Sequence, residues 1–514
     1  MDGDSNPAPV PLDLDEVRRA TALLQSIVAD RTCLLPLPDD VRVALLTAAG
    51  QVAQPDAHTE RTLARAVRRM RNRVKRDHDK ALRAQTEIRA LRRETVFTAP
   101  LLPATQQPLP EPDGPLLENP RHCYVCKVEY RKLHRFYDAM CWSCGEQNYL
   151  KRFPSADLRG RTALLTGGRV KIGYQASLML LRSGCRVIVT TRFPQDAAQR
   201  YVREPDFAAF ADRLQIHGLD LRHAPSVELF ARYLLSTEEK LDFLVNNAAQ
   251  TVRRPPGWYG HLLPVEQAPR QSLPPAAQRL LDGHVRCLES LGAPVDHDGA
   301  LVPTWRSGDK ALGIHSSAAL SLVPYALEQE GDVHALYPKG QLDADLQQVD
   351  LRPTNSWRLP LAEVATAEML EVHLVNAVAP FILCGKLKPL LLKDRSRPRQ
   401  VVNVSAMEGS FSRHTKTDKH PHTNMAKAAL NMLTLTSAPD YLKDGIHMNA
   451  VDTGWVTDED PHVHASRKKD ELDWQPPLDI VDGAARVVDP IFLAETGGPL
   501  YSGKFLKDYT VTEW

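Results

Sequence analysis

Four of the eight cysteines fall in two pairs, CYVC at 123–126 and CWSC at 141–144. A CxxC turn places two thiolates on one knuckle with backbone N–H groups aimed at the sulfurs, and two such knuckles can close a tetrahedral shell around Zn²⁺. Cys123, Cys126, Cys141 and Cys144 are therefore read as ligands of a structural zinc, because four thiolates leave no open coordination position and the binding energy folds the module. The competing reading, a redox pair or four free thiols, lacks a thioredoxin-like context. His122 and His134 stand close enough to replace a ligand, although a full cysteine set makes that unnecessary. The remaining cysteines, Cys33, Cys185, Cys287 and Cys384, are scattered. That grouping favours metal over disulfides and a reducing compartment.

A second chemistry begins at Leu158. RTALLTGG has the composition of a buried strand ending in a glycine turn, KIGYQASLMLLRSG that of an amphipathic helix closed by Gly184, and CRVIVTTR that of a second strand. Strand, turn, helix and strand in this order form a parallel βαβ unit, whose first turn sets a diphosphate against the N–H groups of a helix N-terminus. Further along come LDL at 219–221, NNAA at 246–249, VNAVAPFIL at 375–383, AKAALNM at 426–432 and VDTGWV at 451–456. With TGGRVKIG at 166–173, these motifs follow the order and approximate spacing of the short-chain dehydrogenase/reductase family, which the chain resembles from about Asp157 to its C-terminus, including SGKFLKDY.

The resemblance implies that Thr166, Gly167, Ile172 and Gly173 cradle the diphosphate, that Asp220 and Leu221 flank the adenine, and that Asn246 and Ala248 line the pocket behind the ribose. It implies that Lys427 binds the nicotinamide ribose and that Asn376 holds a proton-relay water. Charge argues the choice of cofactor. A bare ribose 2′-OH is usually held by a carboxylate at the end of the second strand, but this strand ends TTRF with Arg192, and the glycine loop carries Arg169 and Lys171. NADP(H) is expected over NAD(H). Lys171 also stands where the family has its second glycine.

The family's proton donor is a tyrosine four residues before the lysine, and here that position is Thr423. None of the 13 tyrosines has a lysine four residues on, so the departure is not a matter of register. The family's serine is displaced too: in NVSAMEGSF its position holds Ala406, with Ser405 one residue early. An aliphatic alcohol is a much poorer acid than a phenol, so Thr423 can relay a proton but not supply one. The adjoining loop offers His414, His420 and His422, and imidazole has a pKa suited to donation near neutrality. His422 is the favoured substitute acid, with Thr423 and Asn376 ordering water; the competing reading is that these are solvent-exposed loop histidines. Two functions remain open. One is an NADP(H)-dependent oxidoreductase acting on a carbonyl or alcohol carbon of a small molecule. The other is a non-catalytic dinucleotide-binding scaffold or sensor that docks a protein partner through the zinc module and the arginine-rich helix at 58–97.

These residues need elements to position them. With 514 residues, 43% of them apolar, the chain has material for about three domains. The expected fold is α/β: a doubly wound parallel sheet of Rossmann type over 157–514 with an insertion at 251–362, preceded by a helical region at 1–97, a proline-rich linker at 98–120 and the zinc module at 121–153. Residues 58–97 are expected to form an arginine-rich helix, with Leu63, Val67, Met70, Val74, Asp77, Ala81, Ala84, Ile88 and Leu91 on one seam. That seam suits packing on shorter helices around 14–30 and 38–53, a dimerising coil, or a phosphate-binding arm. Nucleic acid is disfavoured, because stacking aromatics are absent there and Lys plus Arg (64) balances Asp plus Glu (63). No run of about 18 uninterrupted apolar residues marks a membrane span, and the acidic, proline-rich N-terminus is unlike a signal peptide, so a cytoplasmic location is expected. The insertion leaves the ligand-binding edge of the sheet, where Trp258, Tyr259, Arg253 and Arg254 can face substrate or pack the insertion on its own domain. A homo-oligomer is compatible with the family, its number open.

Overall fold

Runs such as TALLT, RVIVTT and RQVVNVS place β-branched and aliphatic residues on both faces, which suits strands covered by helices on each side. In the computed structural model, which describes residues 12–98, 107–111, 113–291, 311–324, 332–413 and 415–514, they become the centre of one sheet. Its strands are β3 (Thr162–Thr166), β4 (Arg186–Thr191), β5 (Leu214–Gly218), β6 (Phe243–Asn246), β7 (Arg399–Ser405), β8 (Ile446–Asp452), β9 (Phe505–Lys507) and β10 (Thr510–Thr512). The order is β10-β9-β8-β7-β6-β3-β4-β5, parallel except for the β9–β10 hairpin. The chain winds outward from β3 through β5 and returns to the other side of β3 as β6. A crevice therefore opens beyond the carboxyl ends of β3 and β6, where doubly wound sheets bind ligands.

Alternate residues of β3 divide between two cores. Ala163 and Leu165 face Leu178, Leu181, Val487 and Val488 from the helices Lys171–Arg182 and Ile480–Glu495. Leu164 faces Phe230, Leu387 and Tyr441 from the helices Ala224–Thr237, Ala379–Leu391 and Pro421–Lys443. The stretch Thr366–Leu391 is long and apolar enough to cross a membrane, yet its apolar side chains Ile382, Leu383, Leu387 and Leu391 are the ones buried on this sheet.

The chain divides into two compact units, Met1–Asp77 and His78–Trp514. In the first, the helices Leu14–Ala29 and Asp39–Ala53 form as expected, and the seam does not pack: Leu63, Val67, Met70 and Val74 are 61%, 37%, 63% and 62% exposed. The arginine-rich helix is also shorter than its composition suggests. It runs Ala57–Ala84, breaks at Gln85 and Thr86, and resumes as Glu87–Leu91. The break has a tertiary cause, because the N–H groups of Glu87 and Ile88 donate to the carbonyls of Arg135 and Phe136 and Ile88 is buried there.

The linker ends earlier than its prolines imply. Residues Leu116–His122 form β1, which pairs antiparallel with β2 (Glu129–Lys132) around an irregularity between Leu116 and Arg121. The described part of the insertion is a set of short helices and turns, with Trp258, Tyr259, Leu262, Ala318 and Tyr337 packed against Phe193 at the end of β4.

Candidate functional site

The crevice is a cavity of about 620 Å³ that runs from Arg192 past the glycine loop to Lys427. Backbone space dictates its floor. A Cβ on Gly173 would lie 2.2 Å from the Gly167 carbonyl oxygen, and one on Gly167, where φ is +74°, would lie 2.9 Å from Ala248 Cα. Neither position admits a side chain. Lys171 keeps the left-handed turn expected of the glycine it replaces, with φ +55°, at a cost of roughly 1–2 kcal/mol. The loop path survives the substitution, so the helix Lys171–Arg182 still presents its free N-terminal N–H groups to the cavity. Ile172 and Gly173 line it beside them.

Thr166 acts beneath this floor. Its Oγ1 accepts from the backbone N–H groups of Asn247 and Ala248, each at 3.1 Å, and so fixes the NNAA turn. Asn246 departs from expectation: it is buried, donates to Asn403 Oδ1 at 2.8 Å, and ties β6 to β7 away from the cavity. The neighbouring Asn247, which the motif reading passed over, lines the cavity with Ala248 and donates to the carbonyls of Thr166 (3.0 Å) and Gly167 (3.2 Å).

At the far end two of the basic candidates, Arg169 and Arg192, differ in charge balance. Arg169 is buried, pairs with Asp196 at 2.7 Å, bonds Gln347 and lies over the Phe193 ring. Asp220 holds Arg222 at 2.6 Å, and Arg222 reaches Glu371 at 2.8 Å, so the Asp220 carboxylate is committed while Leu221 lines the wall. Arg192 donates to Ser321 Oγ at 3.0 Å and Tyr259 OH at 3.1 Å, neutral groups supplied by the insertion, and stacks over Phe193 and Tyr259. Trp258, Tyr259 and Arg254 line the cavity; Arg253 is buried away from it, donating its side chain to the Val323 carbonyl and its backbone N–H to Glu368 Oε1.

At the near end Lys427 is buried on the cavity wall, with Nζ 2.8 Å from the Val404 carbonyl oxygen. Burial lowers its pKa to about 8, against the opposing pull of Glu408 and Asp452. Asn376, in a π-helical turn at Leu374–Val378, clamps one residue: its Nδ2 donates to the Gln250 carbonyl (2.9 Å) and its Oδ1 accepts the Gln250 N–H (2.8 Å). The clamped strand of chain passes over Thr423, whose hydroxyl lies 3.4 Å from the Thr251 carbonyl, and Thr251 Oγ1 donates to Glu459 at 3.1 Å. Ser405 donates to Asn431 at 2.5 Å, and Ala406 beside it has no hydroxyl. His422 is buried behind Thr423 with its Nε2 3.5 Å from the threonine hydroxyl and its Nδ1 unbonded, and burial holds its pKa near 4. His420 stacks on Trp357 at 4.0 Å and begins the helix in a left-handed conformation. His414 lies outside the described residues. Structure thus brings Lys427 to the cavity and leaves Thr423, His422 and Asn376 off its lining.

The four cysteine sulfurs all lie within 4.8 Å of one another, with Cys126 and Cys141 at 3.7 Å. Tetrahedral bonds of about 2.3 Å require sulfurs about 3.8 Å apart, so the cluster fits one four-thiolate ion. Cys123 and Cys126 sit on the β1–β2 turn, and Cys141 and Cys144 at the start of the helix Trp142–Lys151. His134 does not compete as a ligand, since its Nε2 meets Glu146 at 2.8 Å and its Nδ1 accepts the N–H of Phe136. The module is not free-standing: Arg152 bonds Asp479 and Asp482 at 2.8 Å, Arg486 donates to Asn148 at 2.6 Å, and Tyr137 bonds Asp482.

Comparison with known proteins finds family models, relatives and solved structures similar to parts of this chain. Residues 161–257 match the family model described as short chain dehydrogenase, and residues 340–476 that described as enoyl-(acyl carrier protein) reductase. Uncharacterized protein R665 of Acanthamoeba polyphaga mimivirus is 31% identical over 388 residues, 72% of this chain and 71% of the viral one. Retinol dehydrogenase 13 of Mus musculus is 34% identical over 103 residues, 20% of this chain and 30% of that relative. Among solved structures, NADPH-bound carbonyl reductase from chicken fatty liver superposes with a TM-score of 0.41 at 17% identity, covering 70% of this chain and all of that one (100%). Residues 161–257 and 340–476, less than half of the chain, thus match family models of short-chain dehydrogenase/reductase type.

Proposed function

We propose that the protein is an NADP(H)-dependent oxidoreductase of the short-chain type, moving a hydride to or from a carbonyl or alcohol carbon, with a structural zinc in its four-cysteine cluster. The observation that carries the reading is one continuous cavity with the Gly167–Gly173 cradle at its centre, Arg192 at one end and Lys427 at the other. When bound, the nicotinamide supplies or accepts the hydride. Gly167 and Gly173 admit the diphosphate to the backbone, and the N-terminal N–H groups of the helix Lys171–Arg182 hold its charge. Arg192 meets neutral partners and keeps its charge for a 2′-phosphate, whereas Arg169 spends its charge on Asp196.

Proton donation is assigned to Lys427 rather than His422. With a pKa near 4, His422 is a neutral imidazole at pH 7 and a poor acid, and it sits behind Thr423. The Lys427 ammonium carries three protons, one of them on the Val404 carbonyl, and a pKa of about 8 suits donation near neutrality. It gives a proton to the substrate oxygen, becomes a neutral amine, and regains a proton from solvent.

A second reading, nucleotide binding without turnover, is favoured by the commitments of Ser405 to Asn431 and Asn376 to Gln250. Calorimetric titration with NADPH and NADH, followed by NADPH absorbance in the presence of aldehydes, ketones and quinones, separates the two. Tighter NADPH binding with oxidation supports the first; binding without oxidation across the panel supports the second; tighter NADH binding rejects the Arg192 argument.

A further inference from the structure

The segment after β8 forms one wall of the cavity: Thr453, Thr457, Asp458, Glu459, Asp460, Pro461, His462 and Ala465 all line it. Both ends of this wall are held by the N-terminal elements as well as by the packing of Val456 and Leu478 in the sheet's core. At its start, the backbone N–H of Trp455 donates to the hydroxyl of Tyr124, the residue between Cys123 and Cys126, at 3.0 Å. The approach is close. A Cβ on Gly454, where φ is +75°, would stand 3.1 Å from that hydroxyl and 2.4 Å from Leu478 Cδ1. At its end, beyond the helix His462–Leu472, buried Arg89 donates to Asp473 Oδ1 and to the Asp473 carbonyl, both at 3.0 Å, and Arg83 pairs with the same carboxylate at 2.8 Å. Arg92 donates to the Leu478 carbonyl at 3.0 Å.

These two anchors meet in one body. Arg89 also donates to Asp138 Oδ2 at 2.6 Å, within the stretch between the two cysteine pairs, and the Asp138 carbonyl accepts from Tyr130 of β2. Leu478 closes the frame by donating its N–H to the Trp455 carbonyl at 3.3 Å. Three arginines from a basic stretch, and an aromatic from a cysteine knuckle, thus grip opposite ends of this wall of the cavity.

We propose that the cysteine module and residues 83–92 form a clamp on the cofactor cavity, with Tyr124 and Arg89 as positioning residues that set where the wall 453–478 lies. The inference rests on the proposed nucleotide site but makes a claim of its own: the wall is looser without the clamp, whether or not nucleotide is present.

The test uses the full chain. Tyr124→Phe keeps the ring and removes the oxygen that accepts the Trp455 N–H. Asp473→Asn attacks the other end from the wall side, keeps a residue that tolerates the left-handed φ of +50° found there, and leaves the module untouched. Each variant is measured for bound zinc, for NADPH affinity, and for tryptic cleavage at Arg467, Lys468 and Lys469 in the wall helix. Loss of one such hydrogen bond predicts NADPH affinity weaker by about fivefold, with cleavage accelerated severalfold and zinc content unchanged. Affinity within twofold of wild type, with wild-type cleavage, in both variants overturns the clamp. Should the wild-type chain bind neither NADPH nor NADH, the cofactor reading falls while the cleavage comparison still decides the clamp.

Discussion

Lys427 is the residue on which chemistry and stability pull in opposite directions. Its folded pKa of about 8 lies below the ordinary 10.5, so between those values the unfolded chain binds more protons and stability rises with pH. Below about pH 8 both states are protonated and the full burial penalty stands. Lys427→Met is therefore expected to melt several degrees higher than wild type at pH 7, an advantage that fades above pH 10.5, while reductive turnover drops by at least about a hundredfold. Scanning calorimetry and NADPH oxidation check the two halves, and wild-type turnover should itself decline as pH rises through about 8. A variant that melts lower at pH 7 and turns over normally removes Lys427 from the mechanism. Residues of this kind were legible in the sequence because chemistry leaves few substitutes: glycine at 167 and 173 where no Cβ fits, lysine at 427 where a buried cation is wanted. Asn246 and Asn247 were not separable, since strand pleat alone decides which of two neighbours faces the cavity, and a motif carries no pleat origin. Arg169 lines the cavity as expected, but its pairing with Asp196, 27 residues on, leaves no local mark in the sequence.

At the scale of elements, the alternation of strands and helices and the CxxC spacing were readable because each rests on local periodicity. The ends of elements were not. The helix break at Gln85 and the strand Leu116–His122 answer to carbonyls and partners at 129–136, and proline content or helix propensity says nothing about those. The cysteine module shows the consequence. Its hairpin, loop and helix bury a small apolar set, Leu117, Tyr130, Phe136, Tyr137, Met140, Tyr149 and Phe153, and then bury Arg152 on Asp479 and Asp482 of the sheet domain. Withdrawing the proposed zinc would leave four thiols beside a buried ion-pair network. Chelation of the full chain under reducing conditions is expected to lower its melting temperature by on the order of 10 °C, with recovery on adding zinc back. An unchanged melt after verified metal removal contradicts the structural-zinc assignment.

On the scale of the whole molecule, the two units are unequal in what they bury. Every apolar cluster among the described residues belongs to His78–Trp514, from Ile88 onward, and the cavity, its wall and the cysteine module all lie there. Within residues 12–77 only Ile27 and Leu34 are buried, and the seam Leu63, Val67, Met70 and Val74 stands in solvent. Burial of about 25 cal/mol per Å² is the main stabilising force available, so a unit that buries so little adds little to the stability of the rest. Arg83, Arg89 and Arg92 of the basic stretch all lie beyond Asp77. A chain starting at His78 is accordingly expected to fold, to melt within about 3 °C of the full chain, and to bind NADPH within twofold of it. Calorimetry and titration on the two chains side by side provide the check. A loss of nucleotide affinity of tenfold or more on removing residues 1–77 would show that the first unit acts on the site, and the clamp would then have to be extended to include it.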